Sequence, residues 1–420
     1  MTTDSDSSTI GREAATSRGG GLRREVAVLC ATEITTWGAL FYALPVAAST
    51  IADDQGWTLP QILGAFTVAQ LVAGALGFWV GRHIDRAGPR RIMTLGSVLG
   101  AGALVAVAMS GSLVTLYAAW IVGGAAMSAT LYAPAFAAIT GWAAGDEHRR
   151  LRALTAVTLV AGLASTAFAP LTAWLLGPLG WRGTYLVLAG FVAATAVAHW
   201  LGLRAAWPDR DHDEVVGQDS GPDATIDFAR ADFRLLVAGM TLAGFAVSAV
   251  VVNLVPLLTE HGLSVRMAAV VLGVGGVGQV TGRVFYALLS AVTSPATRTW
   301  SVLAVVALST VGLAEIHDPV VIIVVLSFVG GMARGLFTLI QATAVVDRWG
   351  TRHYGSRSGI LSGATMAAAA IAPWAGASIA VALDGYSTAF WLFAAGAMLG
   401  AALATASQPS GRRVRSTAAR

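Results

Sequence analysis

Long apolar runs separated by short polar breaks fill almost the whole chain. Twelve such runs begin near Val26, Pro60, Ile92, Thr115, Ala153, Gly183, Phe233, Arg266, Thr299, Pro319, Arg357 and Ser387. About 20 apolar residues in helical form cross the roughly 30 Å hydrocarbon core of a bilayer, and each run is long enough to do so. The runs are apolar around their whole circumference and lack the two-residue alternation of a barrel strand, so each predicts a membrane-spanning helix. Their abundant Gly and Ala suit helices whose backbones must approach closely, because lipid gives no hydrophobic drive for association. The expected fold is all-α and integral to the membrane, with twelve transmembrane helices.

The polar stretches divide these helices. One long acidic segment, Ala205 to Asp232, separates them six and six and reads as a linker between two halves. The expected organisation is a tail over 1–25, a six-helix bundle over 26–204, the linker over 205–232, a second bundle over 233–406, and a basic tail over 407–420. The first 25 residues carry no cleavable pattern and read as an uncleaved tail. The halves also resemble each other. GWRGTYLVLA from Gly180 matches GYSTAFWLFA from Gly385, while Gly123, Gly124 and Trp142 match Gly330, Gly331 and Trp349 at one constant offset. Ala169 and Pro170 recur as Ala372 and Pro373. Duplicated, pseudo-symmetric bundles of this kind hold their binding site at the interface between repeats.

Composition narrows the class further. Hydrophobic residues make up 55% of the chain and charged residues 12%, with a mean hydropathy of +0.68, far from soluble domains. The formal charge of +4 is carried by arginine, since no lysine occurs, which excludes a Walker-type phosphate lysine and a Schiff base. Cys30 is the only cysteine, so neither a disulfide framework nor a cysteine metal site is available. His212 lies among linker aspartates without a second histidine at ligand spacing, and no metal site is expected there. The sequence has no HExxH, no GxSxG and no deep histidine pair, which argues against an enzyme. GVGGVG, Gly273 to Gly278, satisfies a dinucleotide fingerprint, yet it lies inside an apolar run with no strand before it and reads as helix packing. Neither a cofactor nor a nucleic acid partner is expected, and the chain is expected to act as a monomer.

Arginine placement sets the expected orientation. Arg82, Arg86, Arg90, Arg91, Arg149, Arg150, Arg152, Arg298, Arg348, Arg352 and both tails fall on one side, which by the positive-inside rule is the cytoplasm of a plasma (inner) membrane protein. The opposite loops carry mostly Asp53, Asp54, Glu260, Glu315, Asp318 and Asp384, with Arg182 and Arg266 against the trend. On the cytoplasmic side stands GRHIDRAGPRR, Gly81 to Arg91, between helices 2 and 3. Gly81 is expected to let helices approach and Gly88 to permit a tight turn, while Asp85 can accept charge-assisted bonds at a helix N-terminus.

Gly81, Asp85, Arg86, Gly88, Arg90 and Arg91 fit the G-x-x-x-D-R-x-G-x-R-R pattern of the major facilitator superfamily, which the chain resembles along nearly its whole length. The resemblance implies alternating access between two six-helix halves, with helices 1, 4, 7 and 10 lining a central cavity. It also implies a cytoplasmic latch, in which Asp85 meets the start of helix 11 at Arg357. Within the superfamily the chain looks most like the monocarboxylate and oxalate/formate type carriers. The residues concerned are YALP at Tyr42, PLTAWLLGPLGWRGTYLVLAG at Pro170, NLVPLLTEHGLS at Asn253 and GRVF at Gly282. In those carriers a helix 8 arginine holds the substrate carboxylate, a role that would fall here to Arg283.

Ionisable residues inside a membrane are costly and usually functional. Glu33 in helix 1, Arg283 in helix 8 and Arg334 near the centre of helix 10 qualify. An arginine suits an anionic substrate because its planar fork meets a carboxylate bidentately and stays charged. Glu33 is the acid expected to carry a coupling proton. Asn253 and Gln279 are expected to supply polar contacts in the cavity, with Gln341 and Thr338 as weaker candidates. His199 reads as a satisfied core histidine. The expected function is secondary transport of a small organic solute, a carboxylate or other anion, with coupling to protons. The alternatives are an efflux carrier for hydrophobic or cationic compounds and a non-transporting sensor.

Overall fold

The computed structural model describes residues 22–143, 146–207, 231–349 and 354–407. Helix α1 spans Leu22–Gln55, α2 Leu59–Ala87, α3 Pro89–Ala108 and α4 Leu113–Trp142. Helix α5 covers Glu147–Ala161 and continues over 164–179, and α6 covers 181–202. The second set is α7 Ala231–Glu260, α8 Val265–Val292, α9 Pro295–Glu315, α10 Val320–Thr343, α11 Tyr354–Ala382 and α12 Tyr386–Ala406. A short helical turn at Val346–Trp349 follows α10. Among the described residues the twelve apolar runs correspond to twelve helices. Only α5 and α6 run together, and Gly180 separates them with φ 62°, ψ −178°, a left-handed conformation that glycine adopts without steric cost. Helices α1 and α5 begin at Leu22 and Glu147, ahead of their apolar runs, because their first turns are polar.

Local chemistry explains the helix starts. Thr58 and Ser112 close reciprocal caps with Gln61 and Thr115 at the starts of α2 and α4, and the Ser264 and Ser294 side chains accept from the backbone at the starts of α8 and α9. Gly88, at φ 75°, makes the one-residue turn from α2 into α3, with Pro89 at the first position of the new helix. Gly81 behaves otherwise. A Cβ there would meet nothing within 4 Å, so no helix approaches it closely and the expected packing role is corrected.

Helices α1 to α6 pack among themselves, as do α7 to α12, and the two sets meet along α2 with α11 and along α5 with α8. Close approach is carried by glycine at matching places. Gly124 of α4 lies against the backbone of Ala69 in α2, and Gly331 of α10 lies against the backbone of Gly275 in α8. The GVGGVG stretch is likewise a packing surface. Gly275 and Gly278, with Gly282 beyond, lie against α10, while Gly273 and Gly276 lie against Ser165 and Thr166 of α5.

At the end opposite the Gly81–Arg91 loop, Arg182 is paired rather than exceptional. It bonds Asp54 at 2.9 Å and Ser110 O at 3.1 Å and covers the Trp181 ring at 4.1 Å. At the loop's own end, Arg298 and Asp347 form a largely buried ion pair of 2.7 Å, with Thr343 on the same carboxylate oxygen.

Candidate functional site

Two irregularities shape the site where α1 meets α4. Pro134 has no N–H to bond the Thr130 carbonyl four residues earlier, and α4 breaks at Leu131, whose backbone is extended. The freed Thr130 carbonyl accepts instead from the Thr36 hydroxyl of α1 at 3.2 Å. Helix α1 answers with a π-helical turn over Trp37–Tyr42, in which the Ala43 N–H bonds Gly38 O. Such turns hold one extra residue and are frequent at functional sites. Gly38 makes room there for Phe168 of α5. The break and the turn together bring Trp37 and Tyr132 to a centroid separation of 4.8 Å.

Glu33 stands one turn before this contact and has no exposed surface. The Trp37 indole lies beside its carboxyl without closing a hydrogen bond, since both Glu33 oxygens and Trp37 Nε1 lack a partner among the described residues. A buried carboxyl in this condition has not been matched with a fixed cation.

The two membrane-embedded arginines come from the other half. Arg334 is 7% exposed and lies on the seam between α10 and α8, where Gly275 leaves space beside its guanidinium. It also lines a cavity of about 10 Å³ with Ser309, Thr310 and Ser327, room for about one water. Among the described residues no carboxylate lies within ion-pair distance of Arg334. Arg283, half-buried on α8, crosses to the first half and donates from Nη1 to the Thr158 carbonyl of α5 at 2.8 Å. Two tyrosines lie within reach of these charges. Tyr132 meets the Arg283 side chain, while Tyr42, beside Ser165, feels the charge of both Arg283 and Arg334. Tyr132 thus touches Arg283 and lies within the electrostatic reach of Glu33 and Tyr42, and Tyr42 within that of Arg334.

The remaining candidates are distributed unevenly. Gln279 lies one turn before Arg283, half-buried, with its backbone against Gly335 of α10. Asn253 is fully buried and donates to Ala249 O of its own helix, packing against Gly376 of α11. Gln341 donates to Thr365 of α11 at 2.6 Å, joining two helices, and Thr338 bonds back to Gly335 O in its own helix. His199 is buried against Ser97, 3.0 Å from its Nδ1.

In the loop, Arg82, Asp85, Arg86 and Arg91 are exposed, and Arg90 donates to Trp200 O at 2.8 Å while covering the Trp200 ring. Arg357 lies over Trp349, 5.4 Å from the ring centre. His212 and Arg352 lie outside the described residues. Sequence reasoning passed over Tyr42, Tyr132 and Trp37, which are aromatic residues in apolar runs. Pro134 was the available signal, because a proline inside a membrane helix marks a break. It also passed over Trp207, whose ring fills the notch formed by Gly88 and Gly141 and whose Nε1 donates to Asp85 O at 3.1 Å.

Known proteins resemble the chain in sequence and in fold. The sequence profile of the Major Facilitator Superfamily matches residues 29–320. Monocarboxylate transporter 13 of Rattus norvegicus and its counterpart in Bos taurus are each 28% identical over 275 residues, 63% of this chain and 60% or 61% of theirs. The match therefore spans about three fifths of the length of these curated relatives. The solved structure of the nucleoside transporter NupG superposes with a TM-score of 0.73 at 13% identity, covering 91% of this chain and 98% of NupG. A bacterial homologue of the human lysosomal transporter Spinster, inward-facing and unoccupied, gives 0.72 at 13% identity, covering 93% and 96%. At those identities the likeness is one of fold. The shared fold and the family are those of membrane transporters, not enzymes. With its run of apolar helices long enough to cross a membrane and its matching profile, the chain belongs to the major facilitator superfamily.

Proposed function

We propose that the chain carries a small organic anion with a single carboxylate across the plasma membrane by alternating access, together with a proton. The observation that carries this reading is Arg334, a buried guanidinium with no carboxylate partner among the described residues. A charge in that position needs a counterion, and a substrate anion supplies one. In this reading Arg283, whose charge also acts on Tyr42, shares the anion, and Gln279 adds an amide on the same helix. The proton belongs on Glu33, whose carboxyl is buried without a fixed cation. The names of the two curated relatives support a carboxylate substrate.

In this reading the Gly81–Arg91 loop is cytoplasmic and gates the cavity, with Asp85 and Arg357 drawing α2 and α11 together in the outward-open state. Both termini are cytoplasmic and the monomer is the working unit. A second reading rests on the same Glu33. Flanked by Trp37 and Tyr132, it offers the aromatic and anionic surroundings that a lipophilic cation prefers. Uptake into proteoliposomes, with and without a pH gradient, separates the two. Short carboxylates driven by inward protons, with transport lost in Arg334→Ala, support the first reading. Proton-driven movement of tetraphenylphosphonium with indifference to carboxylates replaces it with the second.

A further inference from the structure

Resting on the carboxylate reading above, we infer that the substrate is an aromatic monocarboxylate, whose ring lies against a wall formed by Trp37, Phe41, Tyr132 and Phe136. Trp37 lies 5.2 Å from Phe41 and 4.8 Å from Tyr132, and Tyr132 stacks on Phe136 at 5.2 Å with the rings 18° apart. Rings that merely fill a core are closed off from solvent. These four are all only partly buried, whereas Phe66, fully enclosed, lies 5.2 Å behind Phe41 and is itself backed by the buried Trp120 at 5.3 Å. The wall is also built by the two departures from regular helix. The π-helical turn carries Trp37, Phe41 and Tyr42, and the break at Leu131 directs Tyr132 and Phe136 toward them.

The wall ends at a cation. Tyr132 reaches from the wall to Arg283, so one phenol ring spans the distance between apolar wall and guanidinium. A benzoate-sized acid has the same proportions, a flat ring at one end and an anionic head at the other. Its ring would meet the wall edge to face or offset, the arrangements that aromatic quadrupoles favour. Its carboxylate would take the guanidinium fork that now meets the Tyr132 hydroxyl and the Thr158 carbonyl. A short aliphatic acid would satisfy the arginine but leave the wall uncovered.

The test compares benzoate with pyruvate in proteoliposomes, by direct uptake and by the ability of each to drive counterflow. Wild type is expected to prefer benzoate, and Trp37→Leu to lower the benzoate-to-pyruvate ratio about tenfold, the scale of one lost aromatic contact. Trp37→Phe should restore most of that ratio, and Phe136→Leu should lower it in the same direction, which keeps the test valid if Trp37→Leu is poorly produced. Equal uptake of both acids overturns the aromatic assignment and leaves the carboxylate reading intact. A parallel fall for both acids in Trp37→Leu and Phe136→Leu overturns it as well, since the wall would then act only on the fold. Absence of uptake for either acid, with tetraphenylphosphonium moved instead, removes both readings together.

Discussion

At the scale of the residue, burial without a partner identifies the chemistry. Arg334 and Glu33 sit in opposite halves, and among the described residues no ion pair joins them. Arg334→Lys keeps the charge but loses the planar fork, so substrate affinity should fall by about tenfold or more in a direct binding assay, with the protein still folded. Glu33→Gln should abolish accumulation driven by a pH gradient while leaving exchange of substrate across the membrane, which needs no net proton movement. Full pH-driven uptake by that variant would remove Glu33 from coupling. Both residues were legible in the sequence, because a charge in an apolar run is conspicuous. The aromatic residues were not, since Trp, Phe and Tyr in such a run look the same whether they face lipid, core or cavity. Asn253 shows the converse limit. Its polarity drew attention, yet its Nδ2 donates to Ala249 O of its own helix and packs against α11, while its buried Oδ1 has no partner among the described residues, an arrangement the sequence does not reveal.

At the scale of the element, glycine position decides which helices touch. Gly278 of α8 lies against the Phe328 carbonyl of α10 so closely that a Cβ cannot fit. Gly278→Val should therefore cost about 2 kcal/mol by overpacking and lower the melting temperature in detergent, whereas Gly102→Val, where a Cβ meets nothing within 4 Å, should leave it unchanged.

The turn between α7 and α8 adds a pH-dependent element. His261 stacks on His317 at 3.9 Å and meets Ser387 at 2.8 Å. Burial, then the neighbouring His317, lower its pKa from the ordinary 6.5, against the opposing pull of Glu260 and Glu315. A base with a lowered folded pKa binds fewer protons in the folded than in the unfolded state. Its contribution is complete above 6.5 and is lost as pH falls from there through the lowered value. Acidification from about pH 7.5 to 5.5 should depress the melting temperature more in wild type than in His317→Gln, which relieves part of that repulsion. Helix number and order were readable from hydropathy alone. The π-helical turn of α1 and the role of Gly81 were not, because both depend on which neighbours arrive from elsewhere in the chain.

At the scale of the whole molecule, arginine asymmetry predicts the sidedness. A tag inserted at Asp384 should label from outside intact cells and one at Arg412 should not, and the reverse result would invert the orientation. Asp85→Asn keeps the shape of the loop and removes its charge. It should raise the inward-open population and slow transport, with substrate affinity little changed, as cysteine accessibility from each side would report. The α5–α8 seam carries a further consequence for movement between such states. Two of its cross-bonds end on main-chain oxygens, Arg283 on Thr158 O and Thr166 on Gly273 O. A helix repeats its carbonyls every turn, about 5.4 Å along the axis, so a donor displaced by rocking finds a chemically identical acceptor one step away. Bonds of this kind would act as a bearing, holding the two helices together while leaving their angle free to change. Main-chain acceptors are beyond the reach of side-chain substitution, so these two bonds can be removed only from the donor side, at Arg283 and Thr166.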